Sequence, residues 1–561
     1  MSRKKRGKKS SSKSRTSGSK GPSRPELLDL DLAELEAILE RALASPLCPE
    51  EHIKLKAVVD TLAFLTEELQ AKRMSIARLR ALLFGARTEK TKDVLGQRAK
   101  EARGDGRKRA ETKRKPPGHG RNGTTAYTGA ERVAVPHPSL HPGDPCPGCL
   151  KGRIYALPEP VRLVRIQGMA PLSATLYEKE HLRCALCSEV YTAPSPPGVG
   201  EAKYDETATA MVGLLKYGTG LPFHRIERLQ DSLGIPLPAT TQWDLVRDGA
   251  ERLAPAHEAL LDQAAQGDVL YHDDTTAKIL DLIPQHQAAT AADPESDERT
   301  GVFTSGIVAT GDGHRIAVFA TGVRHAGENL ADVLARRAAE RPRPIQMCDG
   351  LASNTSEDFE TILAHCMAHA RRKYVEVAGA FPEACRFVLE RLGEVYKTDA
   401  YAKAKGLSPQ ERLELHQEHS RPLMDEIETW MTEQIDQRFV EPNSGLGKAI
   451  RYMQNRWQEL TLFLRHPGAP LDNNLCERAL KKAILHRKNA LFFKSSRGAG
   501  VADLYMSLIH TCELNQVNPF DYLVALLKHT QAVGEAPTDW MPWSYRTALA
   551  RLAPTGTDPP T

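Results

Sequence analysis

The sequence predicts a multidomain α+β chain, and three observations carry that reading. Apolar positions recur at helical spacing through residues 27–83 and again from about 205 onward. Between these stretches lies a proline-punctuated, β-rich segment that holds four of the ten cysteines in two close pairs. From residue 266, three strand-like runs, a helix and a fourth strand follow one another, the pattern of a sheet of mixed direction.

A length of 561 residues suggests roughly three to four domains. With 41% hydrophobic and 26% charged residues, the chain has the balance of a globular protein with a sizeable core. No apolar run approaches the ~18 residues of a membrane span. The basic N-terminus lacks the apolar stretch of a secretory signal. Ten cysteines are too sparse for a disulfide scaffold, so a reducing, cytoplasmic compartment is expected.

Residues 1–25 hold ten Lys/Arg and no acid, and read as a disordered basic tail that cannot bury enough apolar surface to offset ordering. Residues 26–97 read as helical. Within them Leu55, Val58, Leu62, Leu65, Leu69, Ile76, Leu79 and Leu83 form a coiled-coil seam, so a homodimer or higher assembly is expected. Residues 98–125 are a second basic block with Pro116-Pro117, a linker by composition. Net charge is only +5, yet two basic segments on a mildly acidic body point to a polyanionic partner. Residues 126–200 form the cysteine-containing β segment, with strands expected at 162–166 and 174–177. Residues 201–260 switch to helices at 211–216, 222–233 and 240–253 around Gly218-Thr219-Gly220 and Gly234, a helix-turn-helix-like domain.

Residues 261–515 form the mixed α/β domain. Strands are expected at 268–271, 301–309, 314–320 and 344–347, with a helix at 326–338 and another beginning near Glu357. A helical insertion covers about 375–465, and helices follow at 473–490 and 500–513. Residues 516–561 are a C-terminal segment ending in a Pro/Thr-rich stretch.

Cys146-Pro147-Gly148-Cys149 and Cys184-Ala185-Leu186-Cys187 are two CxxC knuckles 34 residues apart. Each turns two thiolates toward one point, and together Cys146, Cys149, Cys184 and Cys187 complete a closed tetrahedral shell. That shell suits structural zinc and leaves no open catalytic position.

Three acids stand at chemically suggestive places. Asp273 follows the first strand of the mixed sheet, Asp349 follows the fourth, and Glu477 opens a later helix. Carboxylates on neighbouring strand ends offer the oxygen ligands that magnesium or manganese prefers. A pair of such ions suits in-line phosphoryl displacement. Taken singly, each acid reads equally well as a turn or cap residue. No GxSxG elbow, P-loop or dinucleotide fingerprint is present. Basic residues crowd the same places: His369, Arg371, Arg372 and Lys373 after Cys366, and Arg478, Lys481, Lys482, His486, Arg487 and Lys488 after Glu477. They are candidates for contact with a nucleic-acid backbone. Trp457 and Phe492-Phe493 read as core.

These motifs, in order, carry a resemblance. Leu82-Leu83-Phe84-Gly85-Ala86-Arg87-Thr88-Glu89-Lys90, the four-cysteine segment, Asp273-Asp274-Thr275, Cys366-Met367-Ala368-His369-Ala370-Arg371-Arg372-Lys373-Tyr374, Asp472-Asn473-Asn474-Leu475-Cys476-Glu477-Arg478 and Arg487-Lys488-Asn489-Ala490-Leu491-Phe492 resemble the insertion-sequence-66 family of transposases over roughly residues 50–530. The resemblance implies an RNase H-like catalytic domain with a DDE triad at Asp273, Asp349 and Glu477. It further implies divalent magnesium or manganese, DNA substrates (element inverted repeats and target DNA), accessory transposition proteins, a nucleoid-associated location, and DNA binding by residues 201–260. The family places Glu after its first acid where this chain has Asp274, which leaves Asp274 as a competing ligand. A non-catalytic zinc-containing DNA-binding regulator is the alternative reading.

Overall fold

The computed structural model describes residues 48, 52, 54–56, 134, 138–147, 149, 151–155, 170–183, 190–200, 202–283, 301–351, 354 and 359–552. The chain divides into two compact units, residues 1–93 and 94–561. In the first, residues 52 and 54–56 are helical, and the rest of the expected coiled coil lies outside the described residues, as does the basic tail.

In the second unit a two-stranded antiparallel hairpin pairs β1 (His181–Arg183) with β2 (Val190–Thr192). The expected strand at 174–177 is not formed, those residues carrying no regular secondary structure, and 162–166 lie outside the described residues. Helices α1 (Glu206–Gly213), α2 (Phe223–Ser232) and α3 (Ala239–Ala265) follow, with a π-helical turn at Leu214–Gly218.

The central sheet contains β3 (Val269–Thr276), β4 (Phe303–Gly311), β5 (His314–Gly322), β6 (Ile345–Cys348) and β7 (Ile362–His365) in the order β5-β4-β3-β6-β7. β3, β4 and β5 are antiparallel neighbours, while β6 runs parallel to β3 and β7 parallel to β6. Helix α4 (Ala326–Leu334) makes the crossover between β5 and β6. The mixed direction expected from the sequence is present. The helix expected to begin near Glu357 starts outside the described residues, and among the described ones residues 359–361 are not helical, 362–365 are the edge strand β7, and helix α5 (Met367–Val377) begins only after it. Ile-Leu-Ala-His is too short for its periodicity to separate strand from helix.

Helices α6 (Pro382–Lys405), α7 (Pro409–His419), α8 (Arg421–Asp436), α9 (Gly445–Gln454) and α10 (Trp457–Leu460) form the helical insertion. Then α11 (Asn474–Ala490) and α12 (Ser496–Leu514) return to the sheet. Three C-terminal helices close the described chain: α13 (Pro519–Lys528), α14 (Thr530–Glu535) and α15 (Tyr545–Leu552).

Two cores meet at β3. Val269 packs with the insertion helices, among Met347, Tyr374, Leu389, Met424 and Ile450. Leu270, one residue on and facing the other way, packs among Leu253, Leu260, Phe319, Leu480 and Tyr505. That second core contains residues of α1, α3, α12 and α13 together with the sheet. Residues 201–260, expected as a separate helical domain, are therefore built into the same core as the sheet, because the apolar face of α3 is buried against α12. Among the described residues no helix is long and apolar enough to cross a membrane.

Candidate active site

Asp273 sits on β3 opposite Gly306 of β4. Helix α11 lies against this point, and a Cβ on Gly306 would fall 2.9 Å from Leu480 Cδ2, so glycine is what admits the helix. Further bonds fix the start of α11. The Cys476 thiol donates to the Gly306 carbonyl at 3.1 Å, and Asn473 Nδ2 donates to the His272 carbonyl at 2.8 Å. Asn473 N–H donates to Cys366 Sγ at 3.2 Å, and Met367 N–H to the Leu471 carbonyl at 2.9 Å. Glu477, in the first turn of α11, is thereby tied both to β3 and to the residues after β7.

Asp349 follows β6, the parallel neighbour of β3. Its Oδ1 accepts from Leu351 N–H at 3.0 Å and from Asn354 Nδ2 at 2.7 Å. The chain turns at Gly350 with φ +80°, the left-handed region that favours glycine. The insertion braces this turn: Tyr452 Oη donates to the Asp349 carbonyl at 3.0 Å, and Arg456 Nη2 to the Gly350 carbonyl at 3.1 Å.

The electrostatics join the three acids. Burial pushes the Asp273 carboxyl up to about 7, with the negative charges of Asp349, Glu477 and Asp274 adding to the rise. The Asp274 N–H bonded to Asp273 Oδ1 at 2.8 Å opposes this and is outweighed. Glu477 Oε1 is buried and has no hydrogen-bond partner. An all-oxygen set with excess negative charge and an unpartnered carboxylate oxygen fits a hard divalent cation such as magnesium or manganese.

Asp274 faces the opposite side of β3, as strand alternation requires. Its Oδ1 accepts from Ser305 Oγ at 2.6 Å, and its Oδ2 accepts from Ala326 N–H at 2.9 Å and lies 3.1 Å from His325 Nδ1. It anchors the start of α4, so both oxygens are engaged within the protein. Asp274→Ala should therefore cost about 1–2 kcal/mol in a chemical-denaturation curve, the loss of a helix-terminus acceptor. Superimposable curves for variant and wild type would show that Asp274 does not hold the start of α4.

The expected cationic residues divide. Arg478, Lys481 and Lys488 are exposed on the outer face of α11. Lys373 is exposed, with Nζ 5.6 Å from the Tyr452 ring centre. Arg371 and Arg372 are half-buried on α5. His369 is half-buried in the first turn of α5, with Nε2 3.9 Å from Glu477 Oε1. Two expectations are corrected. His486 is 3% exposed and stacks between Tyr217 and Phe493, where burial lowers it to about 3, so it is a neutral core residue with no surface for DNA. Lys482 is held inward by the Gly218 carbonyl at 3.0 Å and Glu513 at 2.7 Å. Arg487 is half-buried and bonds Thr275 Oγ1 at 3.2 Å and the Thr276 backbone and hydroxyl. Trp457 is half-buried against the insertion core, and Phe493 lies inward, whereas Phe492 is 43% exposed.

Of the expected zinc ligands, Cys146 and Cys149 are described, and Cys184 and Cys187 lie outside the described residues. The first knuckle is a tight turn. Cys146 N–H donates to the Gly152 carbonyl at 2.8 Å, and Gly152 N–H donates to Cys149 Sγ at 3.4 Å. The Gly152 and Lys151 N–H groups, with Cys146, lower the Cys149 thiol, the direction that favours a thiolate ligand.

The residues that orient the acids were not among those singled out for chemistry. Asn473, Tyr452 and Arg456 act on backbone carbonyls across long sequence separations, Asn354 bonds the Asp349 carboxylate five residues back, and none of them carries a local pattern of its own.

Comparison with known proteins places the chain in a family. The model of the family described as Transposase IS66 family, DDE type, matches residues 202–501, a span that holds Asp273, Asp349 and Glu477. The chain is 26% identical over 452 residues to the uncharacterized protein y4hP of Sinorhizobium fredii (strain NBRC 101917 / NGR234), covering 75% of this chain and 76% of the relative. It is 27% identical over 367 residues to the uncharacterized protein y4qI of the same organism, covering 61% and 62%. It is 30% identical over 190 residues to y4jD, also uncharacterized and from that organism, covering 33% and 36%. No solved structure matches the chain. With its matched span running from α1 through the sheet and insertion into α12, the chain belongs to the IS66 family of transposases.

Proposed function

We propose that the chain is a DDE transposase that cleaves DNA at the ends of its element and joins the freed 3′ hydroxyls to target DNA, using an RNase H-like domain. The observation that carries this reading is the family match over residues 202–501, a span that holds Asp273 on β3, Asp349 after β6 and Glu477 on α11, and the raised Asp273 carboxyl supports it.

In this reading Asp273, Asp349 and Glu477 hold divalent cations. When bound, magnesium or manganese supplies Lewis-acid stabilisation of the charge that develops on the phosphoryl oxygens. Asn354 and the Leu351 N–H fix which Asp349 oxygen faces the site. Asn473 sets the position of Glu477 relative to β3. Arg478, Lys481 and Lys488 line the outer face of the helix that begins beside Glu477, and there they meet the backbone of the bound duplex. Cleavage is attack of water on the phosphodiester with release of a 3′ hydroxyl. Transfer is attack of that hydroxyl on a target phosphodiester, one P–O bond forming as another breaks.

The test uses the full chain with duplexes taken from the DNA on either side of its reading frame. Magnesium-dependent release of a 3′ hydroxyl end at one position is the expected result, and no cleavage with magnesium or manganese on any flanking duplex overturns the reading. In metal-free binding to the same duplexes, Arg478→Ala, Lys481→Ala and Lys488→Ala together should flatten the dependence of log affinity on log salt by up to about 0.9 per lost phosphate contact. Lys482→Ala should leave that slope unchanged and lower thermal stability instead.

A further inference from the structure

Beside the acid triad lies a second set of donors of different chemical character. Cys366 ends the stretch after β7, His369 stands one turn into α5, and Glu477 opens α11. One ligand atom from each lies within 4.8 Å of the other two. His369 Nε2 and Glu477 Oε1 are 3.9 Å apart. A tetrahedral shell with ordinary zinc bond lengths holds its ligand atoms roughly 3.3–3.7 Å apart, so small side-chain rotations suffice to close it.

The partners of these atoms point the same way. Glu477 Oε1 is buried with no hydrogen-bond partner. Cys366 Sγ accepts the Asn473 N–H at 3.2 Å, the kind of backbone bond that supports a metal-bound thiolate. Sulfur and imidazole together select zinc or cobalt over magnesium, which takes oxygen ligands.

We propose that Cys366, His369 and Glu477 form a site for a soft divalent cation, zinc in the first place, with a fourth position open to solvent. Binding converts the Cys366 thiol to a thiolate and releases its proton to solvent. The site shares Glu477 with the acid triad, so zinc and the catalytic cation compete for one carboxylate. Zinc at this site therefore switches the strand-cleavage activity off, a consequence that rests on the reading of Glu477 as a triad member. The site itself does not rest on that reading.

The test is titration of the full-length metal-free protein with cobalt, followed by sulfur-to-cobalt charge-transfer absorption. The four-cysteine segment contributes to this signal equally in every variant, so the difference between variants reports the site. Cys366→Ser should remove one equivalent of thiolate-bound cobalt. His369→Ala, which keeps the sulfur, should weaken that equivalent by roughly 100-fold or more. Far-ultraviolet circular dichroism identifies any variant that has not folded, and the His369 variant then carries the test. Superimposable titrations of wild type and both folded variants overturn the site. In magnesium-dependent cleavage, added zinc should reduce the wild-type rate at least about tenfold, the smallest loss that disturbing even an outer partner of a metal ligand causes. It should reduce the Cys366→Ser rate, relative to that variant's own zinc-free rate, far less. Equal inhibition of the two overturns the switch. Loss of the cobalt equivalent in Cys366→Ser alongside a wild type that cleaves no DNA would leave the site standing and remove the transposase reading.

Discussion

If Asp273, Asp349 and Glu477 hold the cations as proposed, Asp273→Asn should lower strand cleavage by roughly a thousandfold or more, because it removes one of the three acids that act on one another. The same substitution should make the metal-free protein more stable. The Asp273 carboxyl is raised to about 7, so the folded chain holds that proton more tightly than the unfolded chain. Its contribution to stability is complete below the unfolded value of ~3.9 and is lost as pH rises through about 7. Above neutrality the ionised carboxylate is a burden, and asparagine removes it, with an expected gain of about 1–3 kcal/mol. Thermal melts at pH 8 without metal should show the variant above the wild type. Added magnesium should raise the wild type's melting temperature and leave the variant's nearly unmoved. A variant that is less stable than wild type without metal would show that Asp273 is not held under electrostatic strain.

Asp399→Ala should cause the largest loss of stability. Asp399 is on α6 and 3% exposed, and it meets Lys403 at 2.7 Å, Arg412 at 2.7 Å and His416 at 3.5 Å. Burial alone would raise its pKa, but the nearby His416 ring, the Arg412 hydrogen bond at 2.9 Å and the charges of Arg412 and Lys403 outweigh burial and hold the carboxyl well below the usual range. Removing the carboxylate strands the Arg412 guanidinium between α6 and α7, a loss of about 3–5 kcal/mol. The sign with pH is the reverse of Asp273. This stability is present above ~3.9 and drains as pH falls toward the lower folded value. Denaturant curves at pH 7 should therefore separate variant and wild type widely, and curves at pH 3 should bring them closer. An unchanged gap between the two pH values would show that the carboxylate charge is not what holds these helices.

The parts of the fold legible in the sequence were those with a regular period and a chemical marker at the end. β3, β4 and β5 are long enough for their apolar runs to stand out, and Asp349 follows β6 as expected, but Asp273, expected just after its strand, lies within β3, which runs on to Thr276. β7 was not legible, since four residues followed at once by a helix carry no period of their own. The site was legible as residue types and less so as faces. Lys482 shares α11 with Lys481, and only Glu513 and the Gly218 carbonyl, far away in sequence, decide that it turns inward. His486 lies in the same basic run and is drawn into the core by Tyr217, from the π-helical turn before α2. The long helix α3 read as half of a helix-turn-helix because its second half, with Pro255 inside it, serves packing against the sheet rather than a separate lobe.

Tyr452 and Arg456 belong to the helical insertion, yet both hold the turn that carries Asp349. The lobe between β7 and α11 is thus a mechanical strut for one of the three acids. A push on its outer surface would arrive at Asp349 and Gly350 through the hydrogen bonds of Tyr452 and Arg456. Chimeras that exchange this lobe between relatives must carry its contact with residues 349 and 350 along with it. Otherwise the acid set loses its alignment while the sheet beneath stays whole.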